Sequence, residues 1–204
     1  MKKLIYPFVA FILLSFAKDS STGLSPEDRK MMLKYLTETR DHLKEVLDGL
    51  SEEQLNFQAD PTSWSIAQCV EHLALTERTF SEIVHKSVAE GPKPSLKDSL
   101  VFKDEQIMPM VVDRSNKVKT SEPFEPSGKF GSTDETLAAF IDGREALIAY
   151  VKITEDDLRN RFNSDLPFGT VDVVQFIVFA AGHCERHILQ MEEVMDHEDF
   201  PEME

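Results

Sequence analysis

The sequence is short of several things, and each shortage removes a class of protein. Basic residues are scarce, with 22 Lys and Arg against 37 Asp and Glu, leaving a formal charge of −15. That field repels a phosphate backbone, and no local basic stripe reverses it, so nucleic acid is not an expected partner. Glycines number eight and form no phosphate-cradling loop, and neither a Ser-His-Asp order nor a pair of catalytic carboxylates stands out. Strand alternation bounded by hairpin turns is missing, as is any internal repeat. Apolar runs are short as well, the longest being Leu4 to Phe16, below the roughly 20 residues that a spanning helix needs. Cysteine appears only twice, at Cys69 and Cys184.

What is present at the start is "MKKLIYPFVAFILLSFAKDS": two lysines, the apolar run, then small residues at Ser15 and Ala17. This pattern predicts a signal peptide over residues 1–17, cut after Ala17, and an exported protein, periplasmic or secreted, with no stable membrane insertion after cleavage. No cysteine follows the run, so a lipoprotein is not indicated.

The remainder, residues 25–197, reads as one helical domain of a length that supports a single sizeable core. Ser25-Pro26-Glu27-Asp28 supplies a cap, a proline at the first helical position and acidic residues for the first turn, predicting a helix to about Gly49. After a polar turn, a second helix is predicted from Ser65 to about Glu90, with Ile66, Cys69, Val70, Leu73, Phe80, Ile83 and Val84 on one stripe. The segment from Gly91 to Gly131 is proline-rich and predicts a long connection with a helix near Leu96 to Val112, then an extended piece. Ser132 and Glu135 form a capping box that opens a third long helix. A fourth is expected from about Thr170 to Asp196, and its first half, "VDVVQFIVFAA", is apolar on nearly all sides. The fold class is therefore all-α, a four-helix bundle with a long crossover connection between the second and third long helices.

Chemistry-bearing residues gather on two of these helices. "FAAGHCERHILQ" places His183 and His187 four residues apart, about 40° apart around a helix, so both project from one face and can chelate one ion. His72 sits on the apolar stripe of the second helix. A desolvated histidine without a partner costs roughly 1–3 kcal/mol, so three on inward faces are harder to explain as accidents than one. Cys69-Val-Glu-His72 and Cys184-Glu-Arg-His187 also share a C-x-x-H pattern. The residues alone leave two arrangements open: an open three-histidine site with a free position, or a closed site of two cysteines with His72 and His187. Cys184 lies about 60° to the other side of His187, so either set could approach an ion. A Cys69–Cys184 disulfide and simple buried packing of both thiols also remain open.

"WSIAQCVEHL", followed far downstream by "GHCERHILQ", resembles the DinB-like (YfiT-like) metal-binding four-helix bundles. The resemblance spans about Ser25 to Met195 and includes Trp64, Asp113-Arg114 and Pro126-Ser127-Gly128. It implies a divalent metal, zinc or nickel, on His72, His183 and His187, which favours the open site. It also implies metal-dependent chemistry with an activated water or thiol nucleophile, of hydrolase or S-transferase type. An exported chain would be separated from the cytosolic pool of small thiols, which weighs against the second. The expected partners are a small-molecule substrate or thiol, with a homodimer as an admissible assembly. A binding module without turnover, and a metal-free bundle whose histidines are tied to backbone or carboxylates, are the competing readings.

Secondary candidates are few. Arg144, on the inner stripe of the third helix, fits a salt bridge better than a substrate contact. Glu71 and Glu185 point about 100° away from the histidines beside them. Gln68 and Gln190 are placed to line a pocket, Trp64 to anchor the core, and His42, His85 and His197 at the surface.

Overall fold

The computed structural model describes residues 23–202, so the predicted signal peptide lies outside the described residues. Four long helices form the frame: α1 (Pro26–Leu47), α3 (Ile66–Ala89), α5 (Thr133–Ile153) and α6 (Val173–Met195). Their starts follow from the caps in the sequence. Ser25 Oγ accepts the Asp28 N–H at 3.0 Å, Ser65–Gln68 and Ser132–Glu135 are reciprocal capping boxes, and Asp172 accepts the Gln175 N–H at 2.8 Å. Each such cap satisfies otherwise orphaned N–H groups and contributes about 1 kcal/mol. Gly91, at φ +81°, lies just past the end of α3, where a left-handed residue closes the last turn and glycine pays no steric penalty.

Two apolar clusters show how the helices run. One joins Met32 and Leu36 of α1, Val84 of α3, Leu147, Ile148 and Val151 of α5, and Val173 to Ala181 of α6. The other joins Leu43, Ile66 to Ala74, Phe140, and Cys184 to Val194. Hence α3 and α5 run one way and α1 and α6 the other. Helix α1 packs on α6 and α5, and α3 packs on α5 and α6. Because α3 and its neighbour α5 are parallel, the chain must travel back about the length of α3, roughly 36 Å for 24 residues. That return is the crossover, residues 90–132, and it confirms the expected long connection.

The crossover differs in detail from the expectation. Its helix, α4 (Asp104–Val112), begins eight residues later than Leu96, because Pro94–Ser99 forms a 3-10 turn and Leu100 then bridges to Thr170 in strand fashion. Helix α4 packs along α6, and Gly182 marks the tightest approach, since a β-carbon there would meet Met108 Sδ at 3.1 Å and Val111 Cβ at 3.2 Å. Three more elements were not expected. The polar turn after α1 contains a short helix, α2 (Glu52–Asn56), opened by a Ser51–Gln54 capping box. Before α6, the residues expected to start that helix instead form β2 (Val171–Asp172), paired antiparallel with β1 (Phe162–Asn163).

Charge organises the ends and centre. Arg159 bonds Asp28, Asp104 and Asp172, tying the starts of α1, α4 and α6 together. In the middle, Arg144 has no solvent exposure and binds Glu77 through two hydrogen bonds of 2.6 and 2.8 Å. Its remaining donors reach Thr39 Oγ1 at 2.8 Å and the Leu36 carbonyl at 3.2 Å. The salt bridge read from the sequence is therefore present between α5 and α3, and the other hydrogen bonds of Arg144 extend the link to α1.

Candidate metal centre

Helices α3 and α6 are antiparallel neighbours, so a residue near the start of α3 faces one past the middle of α6. That register brings His72 to His183 and His187. Their rings lie 4.6–5.1 Å apart centre to centre, and one nitrogen from each falls within 4.8 Å of the others. His72 and His187 are buried at 4% and 9% exposure, while His183 is half-buried and edges the solvent.

Hydrogen bonds fix which nitrogens face inward. His72 Nδ1 lies 2.8 Å from the Phe124 carbonyl; a carbonyl only accepts, so Nδ1 carries the proton and Nε2 presents a lone pair. His187 Nδ1 lies 3.0 Å from Gln190 Oε1, and the Arg114 guanidinium donates to that same oxygen at 3.3 Å. The shared oxygen is thus an acceptor, and His187 is held with Nε2 free. Arg114 is in turn gripped by both oxygens of Glu193. Outer partners of this kind are what orient imidazole ligands at metal sites.

Electrostatics keeps the rings neutral. Burial lowers His72 below the ordinary histidine range, only partly opposed by the Phe124 carbonyl. Burial, then the neighbouring His72, brings His187 down to about 3. His183 is lowered well below its usual value by burial and then by His187 and His72. Neutral imidazole is the ligating form. The His72 and His183 Nε2 atoms lie 3.2 Å apart, matching the separation of about 3.3 Å expected for two nitrogens bound tetrahedrally to one ion at 2.0–2.1 Å. The donor set and its spacing fit a divalent cation.

The surroundings are aromatic. Trp64 packs on His72 and His187 at 5.0 and 6.1 Å between ring centres, so it walls the site as well as starting α3. Phe80 meets His183 edge-on at 5.2 Å, and Phe179 lies 6.2 Å from the same ring.

The cysteines take no part. Cys69 and Cys184 are free, fully buried and packed in the second apolar cluster, and burial pushes both thiols up to about 12. Cys184 points to the Thr39 carbonyl at 3.7 Å. Among the described residues the convergent donors are the three histidines. Gln190 contributes to the site as read from the sequence, whereas Gln68 caps α3 and lines a separate pocket of about 320 Å³ beside α2 and the start of α5. Glu185 pairs with His42 at 3.1 Å, which keeps His42 at the edge of the bundle instead of free in solvent. His85 rests against Tyr150, and His197 accepts the Asp199 N–H. Arg114 and the Phe124 carbonyl were missed as contributors. Their only signal in the sequence is that Arg114 belongs to one of the crossover stretches that carried the resemblance and Phe124 lies two residues before another.

Comparison with known proteins bears on the family and the fold. A family model described as the DinB superfamily matches residues 35–191. Among curated proteins, the uncharacterized protein YuaE of Bacillus subtilis (strain 168) is 27% identical over 150 residues, covering 74% of this chain and 88% of that one. Among solved structures, YfiT from Bacillus subtilis, described as a probable metal-dependent hydrolase with an unusual four-helix bundle topology, matches with a TM-score of 0.58. That match has 16% identity over 84% of this chain and 88% of YfiT, a likeness of fold.

Proposed function

We propose, from the premise that the chain belongs to the DinB superfamily, that it is a metal-dependent hydrolase with a divalent cation, zinc or nickel, on His72, His183 and His187. The observation that carries this reading is the convergence of three neutral imidazoles, two with their outer nitrogens already committed to acceptors. Three protein donors leave a fourth position open, the arrangement of catalytic sites. A cation bound there would lower the pKa of a coordinated water or thiol toward neutrality and so supply a nucleophile.

The chain's own residues do the rest. Phe124 and Gln190 hold the tautomers, and Trp64, Phe80 and Phe179 exclude bulk water from the inner faces of the rings. The half-buried His183 marks the side from which a small substrate enters. Water is the preferred nucleophile because an exported chain would be separated from the cytosolic pool of small thiols, because the chain's own two cysteines are buried in packing, and because YfiT is described as a probable metal-dependent hydrolase.

The test is hydrolysis of a panel of activated esters and amides by metal-stripped and zinc- or nickel-reloaded protein. Turnover only in the reloaded protein supports the reading. Stoichiometric metal without turnover on any member favours the binding module instead. We propose separately, from the two lysines, apolar run and small residues of positions 1–17, that the protein is exported: native protein is expected to begin at or near Lys18, and mass spectrometry finding an intact Met1 would contradict export.

A further inference from the structure

The segment that brings Phe124 to His72 has little else to hold it. Residues 121–129 are mostly exposed. Among the described residues, the only side chains of other elements that hydrogen-bond residues 122–129 are His72 and Glu71, which are adjacent on α3. Glu71 is 7% exposed and accepts three consecutive backbone N–H groups: Ser127 at 3.0 Å, Gly128 at 2.9 Å and Lys129 at 2.8 Å. Gly128, at φ +73°, lets the chain turn so that these N–H groups converge on one carboxylate, a nest of the kind that binds anions.

We propose that Glu71 is a positioning residue for the metal centre, clamping residues 127–129 so that the Phe124 carbonyl stays against His72 Nδ1. The proposal rests on the metal reading given above. The reasoning turns on what Phe124 contributes. A backbone carbonyl can be aimed only by fixing the segment that carries it, and Ser127 is just three residues downstream. Because Glu71 and His72 share one turn of α3, clamp and ligand move as a unit. Glu71 itself points away from the three rings and needs no contact with the cation.

The experiment compares Glu71→Gln with Glu135→Gln, which removes a carboxylate that accepts the Ser132 N–H at the start of α5 without touching the clamped loop. Glutamine at position 71 sets an amide donor against one of the loop N–H groups. Zinc affinity is expected to fall 10- to 100-fold in Glu71→Gln, the range typical of lost outer-partner contacts, and by less than about 2-fold in Glu135→Gln. Amide exchange at Ser127, Gly128 and Lys129 should accelerate in the first variant alone. In metal-free protein, imidazole nitrogen shifts should show His72 as a single Nδ1–H tautomer in the wild type and as a mixture in Glu71→Gln. Gly128→Ala, which strains the turn while leaving Glu71 intact and meets no neighbouring atom, should weaken zinc in the same direction. Wild-type affinity in Glu71→Gln, an equal loss in Glu135→Gln, or an unchanged His72 tautomer would overturn the proposal. Should wild-type protein bind neither zinc nor nickel, the metal reading fails, while the tautomer comparison in metal-free protein still decides whether the clamp exists.

Discussion

Replacing Glu77 by leucine attacks the most deeply buried charge pair in the bundle. The Arg144 side chain is 0% exposed and Glu77 only 4%, and burial alone would lower the Arg144 pKa, yet the Glu77 carboxylate holds it raised. Without that carboxylate the guanidinium keeps its charge but loses two of its four hydrogen bonds, retaining Thr39 and the Leu36 carbonyl. Removing one member of such a pair costs about 3–5 kcal/mol, since an uncompensated charge is left in the core. For a domain of this size 1 kcal/mol shifts the melting temperature by about 2–4 °C, giving a fall of about 6–20 °C. The double variant Glu77→Leu/Arg144→Met removes both charges and should recover most of the loss, because apolar replacement of a buried pair is often close to neutral. Thermal unfolding followed by circular dichroism on metal-free protein measures both. A single variant that melts within about 2 °C of wild type, or a double variant no better than the single one, would refute the reasoning.

Two other perturbations test separate parts of the structure. Burial lowers the His42 pKa, but the hydrogen bond that its ring donates to Glu185 and the Glu185 charge outweigh that and leave it raised. Stability from this pair is therefore fully present below the unfolded value of about 6.5 and lost as pH rises through the folded one, so Glu185→Gln should destabilise the protein at pH 6 and make little difference at pH 9 in urea titrations. Gly182→Val should cost about 1–3 kcal/mol by overpacking, since its β-carbon would press on Val111 at 3.2 Å; hydrogen exchange should then rise across α4 more than across α1, and equal protection in both would contradict the account.

Much of the fold was legible because its signals are local. Ser25-Pro26, Ser65 to Gln68 and Ser132 to Glu135 set three of the four long helix starts to within a residue or two, and caps act over a single turn. The start of α4 was not legible because it follows Leu100 meeting Thr170, 70 positions away, a contact no periodicity encodes, and the strand before α6 was not legible because β1 and β2 are two residues each, too short to show alternation. The histidines could be grouped from helical spacing within α6 and the inward stripe of α3, but the part played by Phe124 lies in a main-chain carbonyl, which has no residue signature. Glu71 shows the same limit from the other side: its direction away from the rings was correct by helical arithmetic, while the loop it grips became visible only in three dimensions. Likewise the C-x-x-H repeat kept the thiols in contention until the structure placed them in an apolar cluster, apart from the converging imidazole nitrogens.

The central claim is that three histidines, and not the cysteines beside them, hold a divalent cation. Zinc affinity measured by competition with a chromophoric chelator, for wild type, His183→Ala, Cys69→Ser and Cys184→Ser, tests it directly. Loss of one of three donors removes a whole metal–nitrogen bond, so His183→Ala should abolish tight binding, while both serine variants stay within about tenfold of wild type because they alter packing alone. Retention of tight zinc in His183→Ala together with its loss in the serine variants would mean a closed site of two cysteines and two histidines, and the open catalytic centre would have to be abandoned.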